Sequence, residues 1–246
     1  MKNSKLRRVL LLLASAVLLV SLSVGATLAY LTAETGEVRN TFTVGKVSFD
    51  EDPDDGDIAG GLDEGKVYTY AEDKDNHGRH TDAGVTRVTK NAYKLVPGRL
   101  YHKDPIVHIG ADSEDAWLFV KVVNGIEAIE AADVKDADGN VTSAVTIDAQ
   151  MAKLGWLPVS GVENVYYWPT EVVAGQNVTV FNNFTIAGNV ETGTKAEAEA
   201  AGQNTTGKLY LGDYEEATIT IQAYIVQSDG LADAPTAWAA APLATW

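Results

Sequence analysis

The chain has 246 residues, no cysteine and a formal net charge of −15, with 34 acidic against 19 basic residues. The lack of cysteine excludes a disulfide-stapled domain, a thiolate zinc site and a thiol enzyme. The acidic balance repels phosphate polyanions, so we expect no nucleic-acid partner. An apolar fraction of 46% is too high for a disordered chain, and the length allows one large domain or two small ones.

Residues 1–29 have the pattern of a helical signal peptide. Four basic residues between Lys2 and Arg8 precede an apolar run from Val9 to Val20, and Gly25 then ends the helical stretch. An uncleaved membrane anchor is the alternative, because the stretch from Val9 to Ala29 approaches the ~20 residues that span a bilayer.

Small residues at Thr27 and Ala29 suit a signal peptidase, which predicts cleavage between Ala29 and Tyr30. Cleavage removes four basic residues and no acidic one, so the net charge falls from −15 to −19. An exported protein without cysteine is typical of a bacterium with a single membrane, because secreted proteins elsewhere commonly carry disulfides. We therefore expect a secreted, acidic protein that contacts the membrane only through its uncleaved leader.

After the predicted cut, residues 38–44 alternate between apolar and polar side chains, as a strand does. Gly45 then shifts the alternation by one residue, which indicates a bulge. We interpret this segment as a candidate assembly strand, whose residues Val38, Asn40, Phe42 and Val44 share one face.

Residues 50–92 are polar and rich in glycine, with one short run at 67–70 that could form a strand. We interpret this range as an acidic surface insertion. The acidic run at 50–57 could bind calcium, but it lacks the glycine and the final glutamate of an EF-hand loop. A solvated loop that keeps an exported protein soluble is the favoured interpretation.

The rest of the chain alternates between short strands and turns. Residues 116–123 (AWLFVKVV) are apolar on both faces, so we expect this strand at the centre of a sandwich. A capping box at 194–197 opens a short helix within an exposed excursion at 188–207. Further strands are predicted at 106–109, 156–158, 162–168, 178–186 and 218–226, and helices at 146–154 and 231–238.

These elements predict an all-β fold. We expect a single jelly-roll-like antiparallel β-sandwich over residues 30–246, with short helical insertions, preceded by the helical signal peptide. No internal repeat of fixed period is visible in the sequence.

The region around the predicted cut resembles the N-terminal signature of exported proteins processed by the SipW-type signal peptidase. The junction Gly25–Leu31 (GATLAYL) resembles the cleavage junction of that group, in which an Asn-Thr-Phe-x-x-Gly strand follows, as at Asn40–Gly45. The resemblance covers residues 24–49, and the stretches at 95–98, 115–122 and 223–227 strengthen it. The best-known members are the TasA and camelysin proteins of Gram-positive spore formers, which have a jelly-roll sandwich fold.

The resemblance implies a secreted or cell-surface structural protein, since TasA-like members are matrix proteins that assemble into biofilm fibres. The partners it implies are other copies of the chain or other matrix proteins, with the signal peptidase acting during export. The chain departs from the family in its insertion at 50–92 and its excursion at 188–207.

A secreted metalloprotease is the competing function, because camelysin carries that label. The chain has no His-Glu-x-x-His helix, and His77 and His80 lie among Asp, Asn and Gly in a stretch that predicts a solvated loop. The other two histidines are His102 and His108. Aromatic residues at 166–168 could bind carbohydrate or a host surface, although cross-strand packing is the simpler account. We predict no catalytic residue, no metal and no cofactor.

A mechanism of assembly follows from the candidate strand. A strand freed at a new N-terminus can pair within its own sheet or complete the open edge of a neighbour, and the second arrangement builds a fibre. Cleavage would then act as the switch, because the uncut chain stays tethered to the membrane.

Overall fold

Short antiparallel strands make up most of the regular structure in the computed structural model, which describes residues 47–50, 61–81 and 86–241. The strands are β1 (Leu62–Gly65), β2 (Arg87–Val88), β3 (Leu100–His102), β4 (Ile106–His108), β5 (Ala116–Asn124), β6 (Val134–Lys135), β7 (Val141–Ser143), β8 (Leu157–Pro158), β9 (Val165–Tyr167), β10 (Asn177–Thr179), β11 (Asn183–Thr185) and β12 (Ile219–Gln227). The helices are α1 (Ile147–Leu154), α2 (Lys195–Ala200) and α3 (Ala234–Ala240), with 3₁₀ turns at Glu127–Ile129 and Leu211–Tyr214.

The prediction of an all-β fold built from antiparallel sheets with short helices is therefore confirmed. The predicted signal-peptide helix lies outside the described residues. The jelly-roll connectivity stays a prediction.

The first sheet has the strand order β10-β4-β1-β2, and the pair β11-β3 extends it. His108 lies opposite Asn177 in the pair β4-β10, and His102 lies opposite Asn183 in the pair β3-β11. His102 and His108 are six residues apart in sequence, and so are their partners Asn183 and Asn177. The register is therefore the same in the two pairs. They form one long antiparallel pair that is interrupted between His102 and Ile106.

The second sheet has the strand order β12-β5-β9-β8. β5 lies inside it and pairs with β12 along the whole length of both strands. Leu118 and Val120 of β5 belong to the core that the two sheets share, whereas Trp117 and Phe119 are buried on the opposite face. The prediction of a central strand with two apolar faces is confirmed.

The main core lies between the two sheets. Tyr101 and Val107 come from the first sheet, Leu118 comes from β5, and all three are 0% exposed. Trp156, which follows helix α1, closes one side, and its indole Nε1 donates a hydrogen bond to the carbonyl oxygen of Thr179 at 3.0 Å. Burial of these side chains is the main source of stability in the fold.

A smaller apolar cluster covers the outer face of the second sheet. Helix α3 brings Ala237 and Trp238 against this face, and the ring centroid of Trp238 lies 5.2 Å from that of Phe119. Asp233 caps the helix by accepting a hydrogen bond from the backbone N–H of Thr236 at 2.7 Å. The predicted C-terminal helix is confirmed.

Both internal helices begin as their sequences predict. In α1, Thr146 Oγ1 accepts from the backbone N–H of Ala149 at 3.2 Å, and Gly155, with φ 110°, ends the helix. In α2, Thr194 and Glu197 form the predicted capping box. No helix in the described part of the chain has the length and apolar character that a membrane crossing requires.

One predicted strand is divided in the structure. Residues 178–186 form β10 and β11 instead of a single strand. Val180 and Phe181, between them, are neighbours in sequence and are both 0% exposed. A regular strand points successive side chains to opposite faces, so the ladder must break for both to enter one core.

The interpretation of residues 50–92 as a surface insertion is wrong for the part that the structure describes. β1 lies within the first sheet, between β4 and β2. Asp63, Glu64 and His77 are only 2%, 3% and 1% exposed. These polar side chains form hydrogen bonds with buried partners and have little contact with solvent. The predicted excursion at 188–207 is largely exposed, although Val190 and Ala198 are buried.

Leu118→Ala should lower the free energy of unfolding by about 2–5 kcal/mol, because it leaves a cavity beside the central strand. Val123→Ala on the same strand is the matched control; Val123 is 40% exposed, so the expected change is within about 0.5 kcal/mol. Urea unfolding followed by far-ultraviolet circular dichroism measures both. Equal losses would contradict the burial of one face of β5.

Candidate functional site

The predicted site residues lie outside the part of the chain that the structure describes. They are the cleavage residues Thr27, Ala29 and Tyr30 and the assembly-strand residues Val38, Asn40, Phe42 and Val44. The structure does describe a surface that such a strand could meet, which is the outer edge of β12.

β12 is an edge strand, because no strand among the described residues pairs with its outer side. The carbonyl of Thr218 accepts from Gly125, and the N–H of Ser228 donates to Asp115, so both residues bond toward β5. Backbone groups alternate in direction along a strand. Residues 219, 221, 223, 225 and 227 therefore turn their N–H and C=O groups away from β5.

A groove of about 1270 Å³ opens beside the first half of this edge. Ile219 and Ile221 of β12 line it together with Leu62 and Leu95 from the side of the first sheet. All four are only partly buried, although they pack against the main core. On this flank the described residues leave the apolar interior incompletely covered.

Charged groups also line the groove. Lys90 and Lys94 come from the segment before β3, and Glu215 and Glu216 come from the approach to β12. Glu64 and its partner Lys103 line the same groove but are almost fully buried. An occupant would therefore meet an apolar interior with charges of both signs around it.

An open strand edge beside a partly apolar groove suits the addition of a further strand. A strand laid against the edge of β12 would satisfy its outward backbone groups, and alternate side chains would enter the groove. Backbone pairing supplies affinity in such a contact, and the side-chain pockets supply specificity.

A buried network of charged side chains stabilises the first sheet next to this groove. Arg87 Nε donates to Asp63 Oδ1 at 2.8 Å, and Arg87 Nη1 donates to Asp104 Oδ2 at 3.1 Å. His108 Nε2 lies 3.0 Å from Asp63 Oδ1. His80 Nε2 lies 3.1 Å from Asp104 Oδ1. The network joins β1, β2 and β4.

These contacts set the protonation of Asp63. Burial on its own raises the pKa of this carboxyl, but hydrogen bonds from His108 and Arg87 and the charge of Arg87 outweigh burial. The pKa of Asp63 therefore lies below its ordinary value. The carboxylate is a structural anion and no proton donor near neutral pH.

The structure corrects the interpretation of His77 and His80 as solvated loop residues. His77 is buried, its Nε2 accepts from the backbone N–H of Lys94 at 2.8 Å, and its Nδ1 lies 3.1 Å from the carbonyl oxygen of Tyr68. Both ring nitrogens are thus engaged, and His77 with His80 is not a zinc-ligand pair. Burial and the nearby His80 lower the pKa of His102.

Residues 47–50, 61–81 and 86–241 contain no group of three or more His, Cys, Asp or Glu side chains arranged to hold a metal ion. The acidic run at 50–57, considered for calcium, lies outside them except for Asp50. The aromatic run at 166–168 packs within the fold: Tyr167 lies opposite Phe119, and Trp168 makes an edge contact with Trp156.

Sequence reasoning missed the acceptor side of the candidate site. The alternation at 218–226 predicted a strand with one outer face, but nothing local showed that its edge would be open. The polar residues of β1 resembled a loop because their partners Arg87, Lys103 and His108 are distant in sequence.

Comparison with protein-family models, with curated proteins and with solved structures finds no match to this chain.

Ala223→Pro tests the direction of the edge. It removes an N–H that faces away from β5, and proline is tolerated at such positions, so we expect a loss of about 1 kcal/mol or less. The control Gln222→Pro removes an N–H that faces β5 and should cost at least about 2 kcal/mol more. Urea unfolding measures both variants. A reversed order would contradict the open edge.

Asp63→Asn should lower the free energy of unfolding at pH 7 by about 3 kcal/mol, because it removes the anion of a buried pair. The carboxylate stabilises the fold above its unfolded pKa of about 3.9, and this stabilisation is lost as pH falls through its lowered folded pKa. The difference from wild type should therefore shrink between pH 7 and about pH 2. Exposed Asp138→Asn is the control for both pH values. A difference independent of pH would contradict this role of Asp63.

Proposed function

We propose that this chain is an exported bacterial protein of the cell surface or biofilm matrix, whose work is assembly with copies of itself. The observation that carries the proposal is the open outer edge of β12 beside the partly apolar groove. Exposed, unblocked strand edges recruit other strands, which proteins ordinarily prevent with charges, prolines or bulges.

The edge lacks most of those protections. The residues of β12 whose backbone N–H and C=O groups face away from β5 are Ile219, Ile221, Ala223, Ile225 and Gln227, and none of them is charged or a proline. The acidic residues Glu215 and Glu216 lie before the strand begins. No charged residue and no proline therefore interrupts this nine-residue strand.

The candidate assembly strand is complementary to this surface. Val38, Phe42 and Val44 would enter the groove against Ile219 and Ile221, and its backbone would pair with the outward groups of β12. The opposite face of the donor strand carries polar side chains, which would remain in solvent. Donation from one subunit to the next would give a fibre, and signal-peptide cleavage would free the donor.

Disulfide trapping tests this proposal cleanly, because the natural chain has no cysteine. The Phe42→Cys variant and the Ile221→Cys variant are each prepared with the leader cleaved. They are then mixed under mild oxidation. We expect a cross-linked dimer on a denaturing gel, since Phe42 faces the groove in the donated strand. Thr43→Cys is the matched control, because its side chain points to the opposite face and should cross-link far less.

The same residues separate the outcomes. A cross-link that forms only when Phe42→Cys and Ile221→Cys are on the same chain would mean that the strand completes its own sheet, and would contradict fibre formation by donation. The absence of any cross-link, or equal trapping by Thr43→Cys, would contradict the use of this edge. Electron microscopy of the cleaved protein over time shows whether the trapped contact belongs to a fibre.

A further inference from the structure

Three side chains with reactive groups meet in the lining of the groove. Glu64 lies on β1, Lys103 follows β3, and Asn91 follows β2. Lys103 Nζ donates to Glu64 Oε2, and Asn91 Nδ2 donates to Glu64 Oε1 at 3.0 Å. One carboxylate therefore binds an amine on one oxygen and a primary amide on the other, so both groups lie within hydrogen-bond reach of Glu64.

The backbone fixes the orientation of the Asn91 amide. Its Oδ1 accepts from the N–H of Val67 at 3.0 Å, and its Nδ2 donates also to the carbonyl oxygen of Gly65 at 2.9 Å. A donor on Oδ1 withdraws electrons from the amide carbon and stabilises negative charge that develops on this oxygen. The nitrogen, which would have to leave, faces Glu64.

Glu64 and Lys103 lie where little water reaches them. Glu64 is 3% exposed and Lys103 is 8% exposed. A proton can pass from Nζ to the carboxylate along their hydrogen bond as the amine attacks. A neutral amine in such a site is a nucleophile.

From this geometry we infer that Lys103 and Asn91 become joined by an intramolecular isopeptide bond, with Glu64 as the catalytic acid and base. Lys103 Nζ, after giving a proton to Glu64, attacks Cγ of Asn91 while the N–H of Val67 binds the oxygen. Glu64 then gives this proton to Nδ2 and accepts the second proton that Nζ loses, so the carboxyl group ends protonated. The Nζ–Cγ bond forms, the Cγ–Nδ2 bond breaks, and one ammonia leaves. The step exchanges one amide for another, and it consumes no oxidant or other reactant.

The bond would tie the segment that follows β2 to the first sheet. Residues 89–95 line the groove, so the link would hold this wall in place against the pull on a surface protein. The inference does not depend on strand donation, because it concerns groups within one chain.

Mass spectrometry of the wild-type protein tests the inference directly. The intact folded protein should weigh less than its sequence by one ammonia. After tryptic digestion, the peptide 91–94 should appear joined to the peptide 100–121, because an acylated Lys103 resists trypsin. An intact mass equal to that of the sequence, with separate peptides that end at Lys94 and Lys103, would overturn the inference.

Variants assign the roles. Glu64→Gln should abolish the joined peptide, and Lys103→Arg should abolish it as well. Asn91→Asp should still react but lose water in place of ammonia. Asn124 precedes Gly125, and a succinimide there would also lose one ammonia, but the digest places that loss in a different peptide. If Glu64→Gln still yielded the joined peptide in full, Glu64 would not be the catalytic group.

Discussion

The fold depends on the burial of both faces of β5. An interior strand with two apolar faces needs a neighbour on each edge and a covering layer on each side. β12 and β9 pair with the two sides of β5, the first sheet covers one face of β5, and helix α3 covers the other face. β12 pairs with β5 on one side and is the last strand of its sheet among the described residues. Its other side is therefore an open edge, and this edge lies beside the core.

The first sheet is constrained by buried charge, because its strand β1 places the acidic side chains of Asp63 and Glu64 in a buried layer. Each acid contacts a basic residue from elsewhere in the chain: Arg87 with Asp63, and Lys103 with Glu64. Such pairs contribute little net stability compared with apolar packing, but removing one partner is costly. They therefore specify which strands can lie together, and they bring reactive groups into a dry environment.

The open edge and the buried Lys–Glu–Asn cluster lie in walls of the same groove. A groove that accepts a strand must keep its shape when the contact is loaded, and a covalent tie behind one wall would serve this purpose. The two proposals remain separable, since one concerns contact between chains and the other a bond within one chain.

Local pattern determined the elements. The strand at 116–123, the helix that ends at Gly155 and the capping box at 194–197 were all predictable, because periodicity and capping depend on near neighbours in sequence. The same patterns predicted the all-β class, whereas the signal peptide and the candidate assembly strand stay predictions from the sequence alone. Only the tertiary structure decided that Asp63 and Glu64 are buried, that β12 is an edge strand among the described residues, and that Asn91 and Lys103 both contact Glu64. Each of these depends on contacts between residues distant in sequence, where a polar residue with a buried partner has the same local pattern as one in solvent.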